Sequence, residues 1–301
     1  MLKTYSNGEQ TWIDLVSPTK EELDSLMMSQ DLDPLIAKDL ISPTPRQYVK
    51  SFHNSVYTVL HIPVFIHKTG ENLEQEVDFI ISKNNLITAR YDHIDPLHHF
   101  SKELEVEEIL NKKDSEPHLF FGLMKNIYKF LFDEIEYIKD TTKYIEKKIF
   151  SGKEKEMVFE ISVIGRNLLS FERTISSQKI LFDSLKEIGA QNFGENFESD
   201  LDTIINEWHR LLSDIKDTRE IINELRETNN SILSTKQNEI MKIFTILAFV
   251  TFPLSLIASI FGMNTSFIPL TNIQNDFWIV IGMMFFVSIA MFAYFKYKRW
   301  I

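Results

Sequence analysis

Two runs near the C-terminal end of the chain carry almost no ionisable side chain, and they constrain the molecule more than any other stretch. Between Ile243 and Asn275 there is none, and between Phe277 and Phe295 the only one is the phenol of Tyr294, with Asp276 the single interruption. As helices, Ile243 to Phe261 and Phe277 to Phe295 would each extend about 28 Å at about 1.5 Å per residue, which matches a hydrocarbon core about 30 Å thick. Two transmembrane helices are predicted, over 243–264 and 277–295, with 265–276 as an extracytoplasmic loop. Lys236 and Lys242 precede the first run, Lys296, Lys298 and Arg299 form a basic tail over 296–301, and the loop has no Lys or Arg. Basic flanks on the same side place both termini in the cytoplasm. Met1-Leu2-Lys3-Thr4-Tyr5 continues into Asn7-Gly8-Glu9-Gln10 rather than an apolar stretch, so no secretory leader is expected and the bulk of a multi-pass cell-membrane protein would stay cytoplasmic.

The rest of the chain has a different charge. Of the formal net charge of −11 over 301 residues, positions 236–301 contribute +3, which leaves −14 on positions 1–235. A phosphate backbone demands a basic face, so nucleic acid is not expected as a partner. The chain has no cysteine, which removes disulfides, thiol nucleophiles and thiolate metal sites together.

Residues 1–114 read as a cytoplasmic α+β domain, a mixed or antiparallel sheet flanked by helices. Thr11 to Val16 has strand character, and Ser17-Pro18 offers an N-cap and first-turn proline for a helix to about Ser29. Asp33-Pro34 opens a short helix to Leu40. Runs rich in β-branched and aromatic residues follow at Ser55 to Ile66, Glu76 to Ser82 and Leu86 to Arg90, separated by Lys68-Thr69-Gly70-Glu71-Asn72 and Lys83-Asn84-Asn85. From Asp95 onward the pattern is helical, with breaks expected near Asp114 to Pro117, Ser151-Gly152 and Gly189 to Gly194. That gives a helical pair over 115–194 and then a stalk helix over 195–242 that nothing interrupts before Pro253. The stalk's apolar residues recur every seven positions, Leu201, Trp208, Ile215 and Ile222, with Ile204, Leu211, Leu225 and Ile232 between them. A lone rod cannot bury such a stripe. Symmetric copies packed around an axis would do so and would also enclose a path that two spans cannot; the stripe closing on the chain's own helices is the simpler alternative.

The first span ends Ile260-Phe261-Gly262-Met263-Asn264. With Asn238-Glu239-Ile240-Met241-Lys242 entering the span, Pro253-Leu254 within it, Lys296-Tyr297-Lys298-Arg299-Trp300 at the end and Trp12-Ile13-Asp14-Leu15 near the start, the chain resembles the CorA family of divalent-cation (magnesium/cobalt) transport proteins. The resemblance implies a homo-oligomer, a pentamer, in the lipid bilayer, conducting hydrated Mg²⁺, with Co²⁺ and Ni²⁺ as companions, through a Gly262, Met263, Asn264 filter. No Ser/His/Asp nucleophile set, metal-ligand spacing or glycine-rich phosphate loop is present at recognisable spacing, so no enzymatic step and no cofactor are expected. A zinc-transporting relative of the same fold, or a membrane-anchored coiled-coil scaffold or sensor, are the alternatives. Mg²⁺ sheds water reluctantly, so neutral amide oxygens from Asn264 suit its hydration shell, an outer-sphere metal contact. Gly262 permits close backbone approach and Met263 supplies flexible packing. Stepping back by three or four residues, Ser259, Ser255, Phe252, Ala248, Phe244, Met241 and Asn238 form an axis-facing stripe, with Phe252 and Phe244 as hydrophobic constrictions that close by dewetting.

Where family members carry an acidic Pro-Glu loop after the motif, this chain has Thr265-Ser266-Phe267-Ile268-Pro269-Leu270, which leaves Asp276 as the acid of the mouth. Family closure by cytosolic carboxylates would fall near Phe52-His53-Asn54 and Asp202-Thr203, and Asp200, Asp202, Asp214 and Asp217 are the candidate regulatory ligands. Asp92, His93, Asp95, His98 and His99 form a separate cluster whose donor types suit Zn²⁺, Co²⁺ or Ni²⁺, although His98 and His99 cannot share one helix face.

Overall fold

The computed structural model describes residues 2–7, 10–30, 32–52, 55–66, 71–110, 118–264 and 275–300. Six strands form one mixed sheet: β1 (Leu2–Asn7), β2 (Gln10–Val16), β3 (Tyr48–Phe52), β4 (Ser55–Ile66), β5 (Glu71–Ser82) and β6 (Asn85–Arg90), in the order β1-β2-β6-β5-β4-β3. All neighbours are antiparallel except β2 and β6, which run parallel with Trp12 opposite Leu86 and Asp14 opposite Thr88. The parallel pair arises because two helices, α1 (Lys20–Gln30) and α2 (Pro34–Asp39), intervene before the β3–β6 meander returns to β2. Strands β1 and β3 lie at the two edges; neither was read from the sequence, since edge strands lack a two-sided apolar run.

The sheet is covered on both faces. Leu23 and Leu26 of α1 and Ile36, Ala37 and Leu40 at α2 pack with Ile13, Tyr57, Val59, Ile80 and Ala89 on one face. On the other face Trp12 meets Phe100 of α3 (Asp95–Leu110), and Phe79 meets Phe120 of α4 (Leu119–Lys148) edge-on, with ring centroids 5.4 and 5.5 Å apart. The Asp14 carboxylate is buried but fully engaged: it takes a charge-assisted bond from Arg90 Nη2 at 2.9 Å and another from the Thr88 hydroxyl at 2.8 Å, while the Trp12 indole donates to Thr88 Oγ1. Helix α1 is capped by Thr19, which exchanges bonds with Glu22 in a capping box, not by Ser17 as the sequence had suggested. Ser17 instead adopts φ 46° and ties its hydroxyl to the Tyr91 carbonyl.

Helix α4 joins α5 (Glu154–Phe193) through a π-helical turn at Ile149–Lys153, where Gly152 has φ 90°. The break expected over Gly189 to Gly194 falls at its far end, at Gly194 with φ 88°, while Gly189 itself stays helical and buried, where a Cβ would strike the Phe197 ring. Helix α6 (Glu195–Phe261) then runs unbroken, and α7 (Asp276–Tyr297) is the last element.

The heptad stripe of α6 is already closed within one chain. Leu201, Ile204, Trp208, Leu211, Ile215, Ile222 and Leu225 are buried, whereas Ile232 is only half-buried. Trp208 donates its indole N–H to the Ile175 carbonyl of α5 at 2.8 Å, and Arg219 pairs with Glu172 at the same distance. The expectation that other copies are needed to cover this stripe is therefore corrected: α4 and α5 supply apolar faces of matching period. The chain divides into two compact units, residues 1–226 and 227–301.

Candidate functional site

Within the second unit, Thr245, Ile246, Val250, Pro253, Leu254, Ile257 and Phe261 form a half-buried row on α6. The Phe249 ring meets Phe295 of α7, the one fully buried side chain of that helix, with centroids 6.4 Å apart. The stripe of Asn238, Met241, Phe244, Ala248, Phe252, Ser255 and Ser259 lies on the opposite side of the helix and is exposed at every position, Phe244 at 61% and Phe252 at 73%. Both helices are long and apolar enough to cross a membrane, and none of either apolar window is buried inside the chain. Thr245 and Thr251 hide their hydroxyls by donating to the Met241 and Leu247 carbonyls, as a helix in hydrocarbon requires.

The helix ends at Phe261, three residues short of the boundary read from the sequence. The Gly262 N–H still reaches the Ala258 carbonyl at 2.9 Å and the Met263 N–H that of Ile260 at 3.3 Å, and the chain then leaves the helix with Asn264 exposed. A Cβ on Gly262 would come within 3.1 Å of the Ala258 carbonyl oxygen, so glycine serves here through close approach rather than a positive φ. The loop positions 265–274, including Thr265 to Leu270, lie outside the described residues. Asp276 opens the first turn of α7 and accepts the Phe277 N–H at 2.7 Å, a carboxylate at the positive end of the helix dipole.

A family model for "CorA-like Mg2+ transporter protein" matches residues 7–299, nearly the whole chain. The chain belongs to this family. It is 24% identical over 270 residues to the cobalt/magnesium transport protein CorA of Thermotoga maritima, covering 90% of this chain and 77% of that one. The complete structure of the CorA magnesium transporter from Methanocaldococcus jannaschii aligns with a TM-score of 0.85 at 19% identity, over 99% of this chain and 93% of that one. The full-length CmaX protein aligns with a TM-score of 0.73 at 16% identity, over 97% and 89%. At these identities the two structures establish the CorA fold: a mixed sheet with helices, a long helix and two apolar helices at the C-terminal end.

The acidic candidates on this CorA chain differ in their surroundings. Asp202 is paired with Lys186 at 2.6 Å and Asp214 with Lys139 at 3.0 Å, so own-chain ammonium groups already neutralise them. Asp217 is exposed, and Asp200 is half-buried close enough to His118 to act on its charge. Of the strand positions, Phe52 ends β3, and His53 and Asn54 lie outside the described residues. His93 bonds Asp95 at 3.1 Å and its ring lies 5.6 Å from that of His98, but among the described residues no three His, Asp or Glu side chains converge as a metal site.

Sequence reasoning missed a buried polar cluster on β4 and β5. The Asp78 carboxyl is buried and accepts from the Tyr57 and Tyr91 hydroxyls at 3.2 and 3.1 Å. Burial first, and the charge of Glu76 second, push it up to about 8. The signal was present as Glu74, Glu76 and Asp78 at strand spacing, all on one face of a strand whose alternate residues are core.

Proposed function

We propose that the chain is a channel-type transporter that conducts hydrated divalent cations into the cytoplasm, Mg²⁺ first with Co²⁺ and Ni²⁺ as companions. The observation that carries this reading is the termination of α6 at Phe261, which frees Gly262, Met263 and Asn264 just beyond an apolar span-length helix. In a symmetric homopentamer, a ring of Asn264 carboxamides would hydrogen-bond the water shell of a cation without stripping it. Met263 packs the turn, and Asp276 places negative charge at the mouth.

The exposed stripe from Asn238 to Ser259 supports an axis-facing role, because nothing among the described residues covers it. Phe244 and Phe252 are its bulky members and serve as dewetting constrictions. Basic flanks at Lys236, Lys242, Lys296, Lys298 and Arg299 favour cytoplasmic termini in the inner membrane. Inward movement of a divalent ion is driven by about 4.6 kcal/mol per 100 mV, twice the single-charge figure, so no nucleotide is needed. A coiled-coil scaffold is disfavoured: the Leu201 to Leu225 seam is already buried, leaving no free seam there to zip with another chain.

The test is ion flux in proteoliposomes under an imposed voltage, with Mg²⁺, Co²⁺, Ni²⁺ and Zn²⁺ presented separately. Mg²⁺ flux that Asn264→Ala abolishes without loss of assembly supports the reading. Flux of Zn²⁺ alone would replace the ion, and flux unchanged by Asn264→Ala would remove the filter.

A further inference from the structure

His61 on β4 has both ring nitrogens aimed at acceptors. Nδ1 lies 2.5 Å from Glu74 Oε1, while Nε2 lies 3.1 Å from the Thr44 carbonyl oxygen and 3.4 Å from Glu76 Oε2. A neutral imidazole has one N–H, so it satisfies only one of these directions; the imidazolium satisfies both. Glu76, opposite His61 in the β4–β5 register, is fixed as an acceptor by the Thr44 N–H at 2.7 Å and the Thr44 hydroxyl at 3.2 Å. The Thr174 hydroxyl of α5 donates to the second oxygen of Glu74 at 2.8 Å, and Gln178 of α5 donates to the His61 carbonyl at 2.9 Å. The ring therefore joins β4 to β5 and to the segment leading from α2 to β3, and α5 is tied to the same cluster through Glu74 and the His61 carbonyl.

We propose that His61, Glu74 and Glu76 form a proton-operated latch that holds α5 and the 40–47 segment on the sheet while the ring is doubly protonated, and releases them when it is neutral. The charged groups facing the ring are Glu74 and Glu76 on β5; Asp78, next to Glu76 on that strand face, is bound by Tyr57 of β4 and Tyr91 after β6, the uncharged Thr174 and Gln178 of α5 bond Glu74 and the His61 carbonyl, and Asp39 of α2 is held by Tyr48 of β3 and by Lys50. Burial disfavours the charged ring, but the bonds and charges of Glu76 and Glu74 outweigh it and raise the ring above the ordinary histidine value. A raised value means that the latch's contribution is complete below about pH 6.5 and is lost as pH rises through the folded value. Asp78, at about 8, ionises beside Glu76 as pH rises and adds a further carboxylate to that strand. Solvent reaches the latch through Glu74, whose side chain is 52% exposed.

The latch concerns the cytoplasmic unit and is tested without measuring transport. The first measurement is solid-state NMR of the full chain, ¹⁵N-labelled at histidine, in proteoliposomes. One ring that disappears in His61→Gln is expected to carry two N–H groups at pH 6.5 and to titrate above the ordinary range. The second is hydrogen exchange of α5 amides in the same full chain. After correction for intrinsic rates, protection around Thr174 and Gln178 is expected to fall about tenfold for each unit by which folding raises the ring. Glu74→Gln, at a half-exposed position that does not threaten folding, moves that fall to lower pH. A single neutral tautomer at pH 6.5, or exchange whose pH dependence is the same in wild type and Glu74→Gln, overturns the proposal.

Discussion

The Trp300 backbone N–H donates to the Phe295 carbonyl at 2.9 Å, and the two rings stack with centroids 5.8 Å apart. With the Arg299 N–H on the Lys296 carbonyl at 3.1 Å and Arg299 at φ 56°, this is a Schellman motif at the end of α7, its hydrophobic contact included. The basic tail is thereby part of the helix end. Because Phe295 also meets Phe249, Trp300→Ala is expected to destabilise the α6–α7 pair by about 1 kcal/mol, the value typical of an aromatic contact. Arg299→Gly should cost less or stabilise, because a side chain at positive φ carries about 1 kcal/mol of strain that glycine lacks. Thermal melts of the detergent-solubilised protein check both, and an Arg299→Gly melt lower than that of Trp300→Ala would contradict this account.

Asp78→Asn should be tolerated and should flatten the alkaline limb of stability. In the native chain the carboxyl stays protonated to about 8, while in the unfolded chain it ionises near its ordinary value of 3.8. A raised carboxyl therefore binds its proton more tightly when folded, so stability falls as pH rises from about 4 to 8 and levels off above. Asparagine keeps the shape and cannot ionise. The melting temperature at pH 8 should rise by a few degrees, roughly 2–4 °C per kcal/mol for a chain this size, and should change little at pH 4.

His118 should show the opposite sign to His61. It caps α4 by accepting the Phe120 N–H at 3.4 Å, and its other ring nitrogen faces the Ser82 carbonyl at 3.1 Å, which fits the neutral ring with the proton on Nε2. Burial lowers it, against smaller upward effects from Ser82 and Asp200. Its contribution is thus present above about pH 6.5 and is lost as pH falls through the lowered value. His118→Asn retains a capping oxygen and should remove part of that acid-side loss, while costing about 1 kcal/mol at pH 7.5 for the bond to Ser82. Denaturant melts across pH 5 to 8 check it, and a loss that is equal at both ends would argue against the titration.

How much of this was legible in the sequence depended on what each residue faces. Strands β4, β5 and β6 showed as β-branched runs because helices cover both faces of the sheet, so apolar residues persist along them. The edge strand Leu2–Asn7 showed nothing of the kind, for most of its side chains face solvent. The break over Gly189 to Gly194 was legible, but its position at Gly194 was not, because local propensity cannot see the Phe197 ring that requires a hydrogen at Gly189. Gly262, Met263 and Asn264 stood out in the sequence from their place after an apolar run, and the helix ends just before them. The His61 cluster was not, because it depends on a segment 17 residues away reaching back to bond the ring.

If the proposed channel closes on cytoplasmic Mg²⁺, Asp202→Asn and Asp214→Asn are expected to leave that closure unchanged. Lys186 and Lys139 already hold these carboxylates, and the pairs are partly exposed, so each is worth at most about 1 kcal/mol. Binding a cation there would first have to displace an ammonium group of the same chain. Flux measured against internal Mg²⁺ checks it: a shift in the closing concentration for either variant would place the feedback site on these residues, whereas a shift confined to Asp200→Asn or Asp217→Asn would place it on the other two.

Phe244 and Phe252 stand on one exposed side of α6, eight residues apart and therefore about 12 Å along the axis. If they face a shared path, each forms a separate apolar ring too narrow for a wetted column, and water leaves before the cation is blocked sterically. Truncating one ring to alanine should then raise basal flux at closing Mg²⁺ concentrations while leaving ion preference unchanged, since the Asn264 ring is untouched. Truncating both should raise it further, because each ring adds its own barrier to the water column. A lipid-facing phenylalanine gives a different result: its loss removes contact with acyl chains and leaves flux unaltered. Single and double variants measured in the same liposomes separate the two, and double-variant channels that close as tightly as the parent would move the gate elsewhere on the helix.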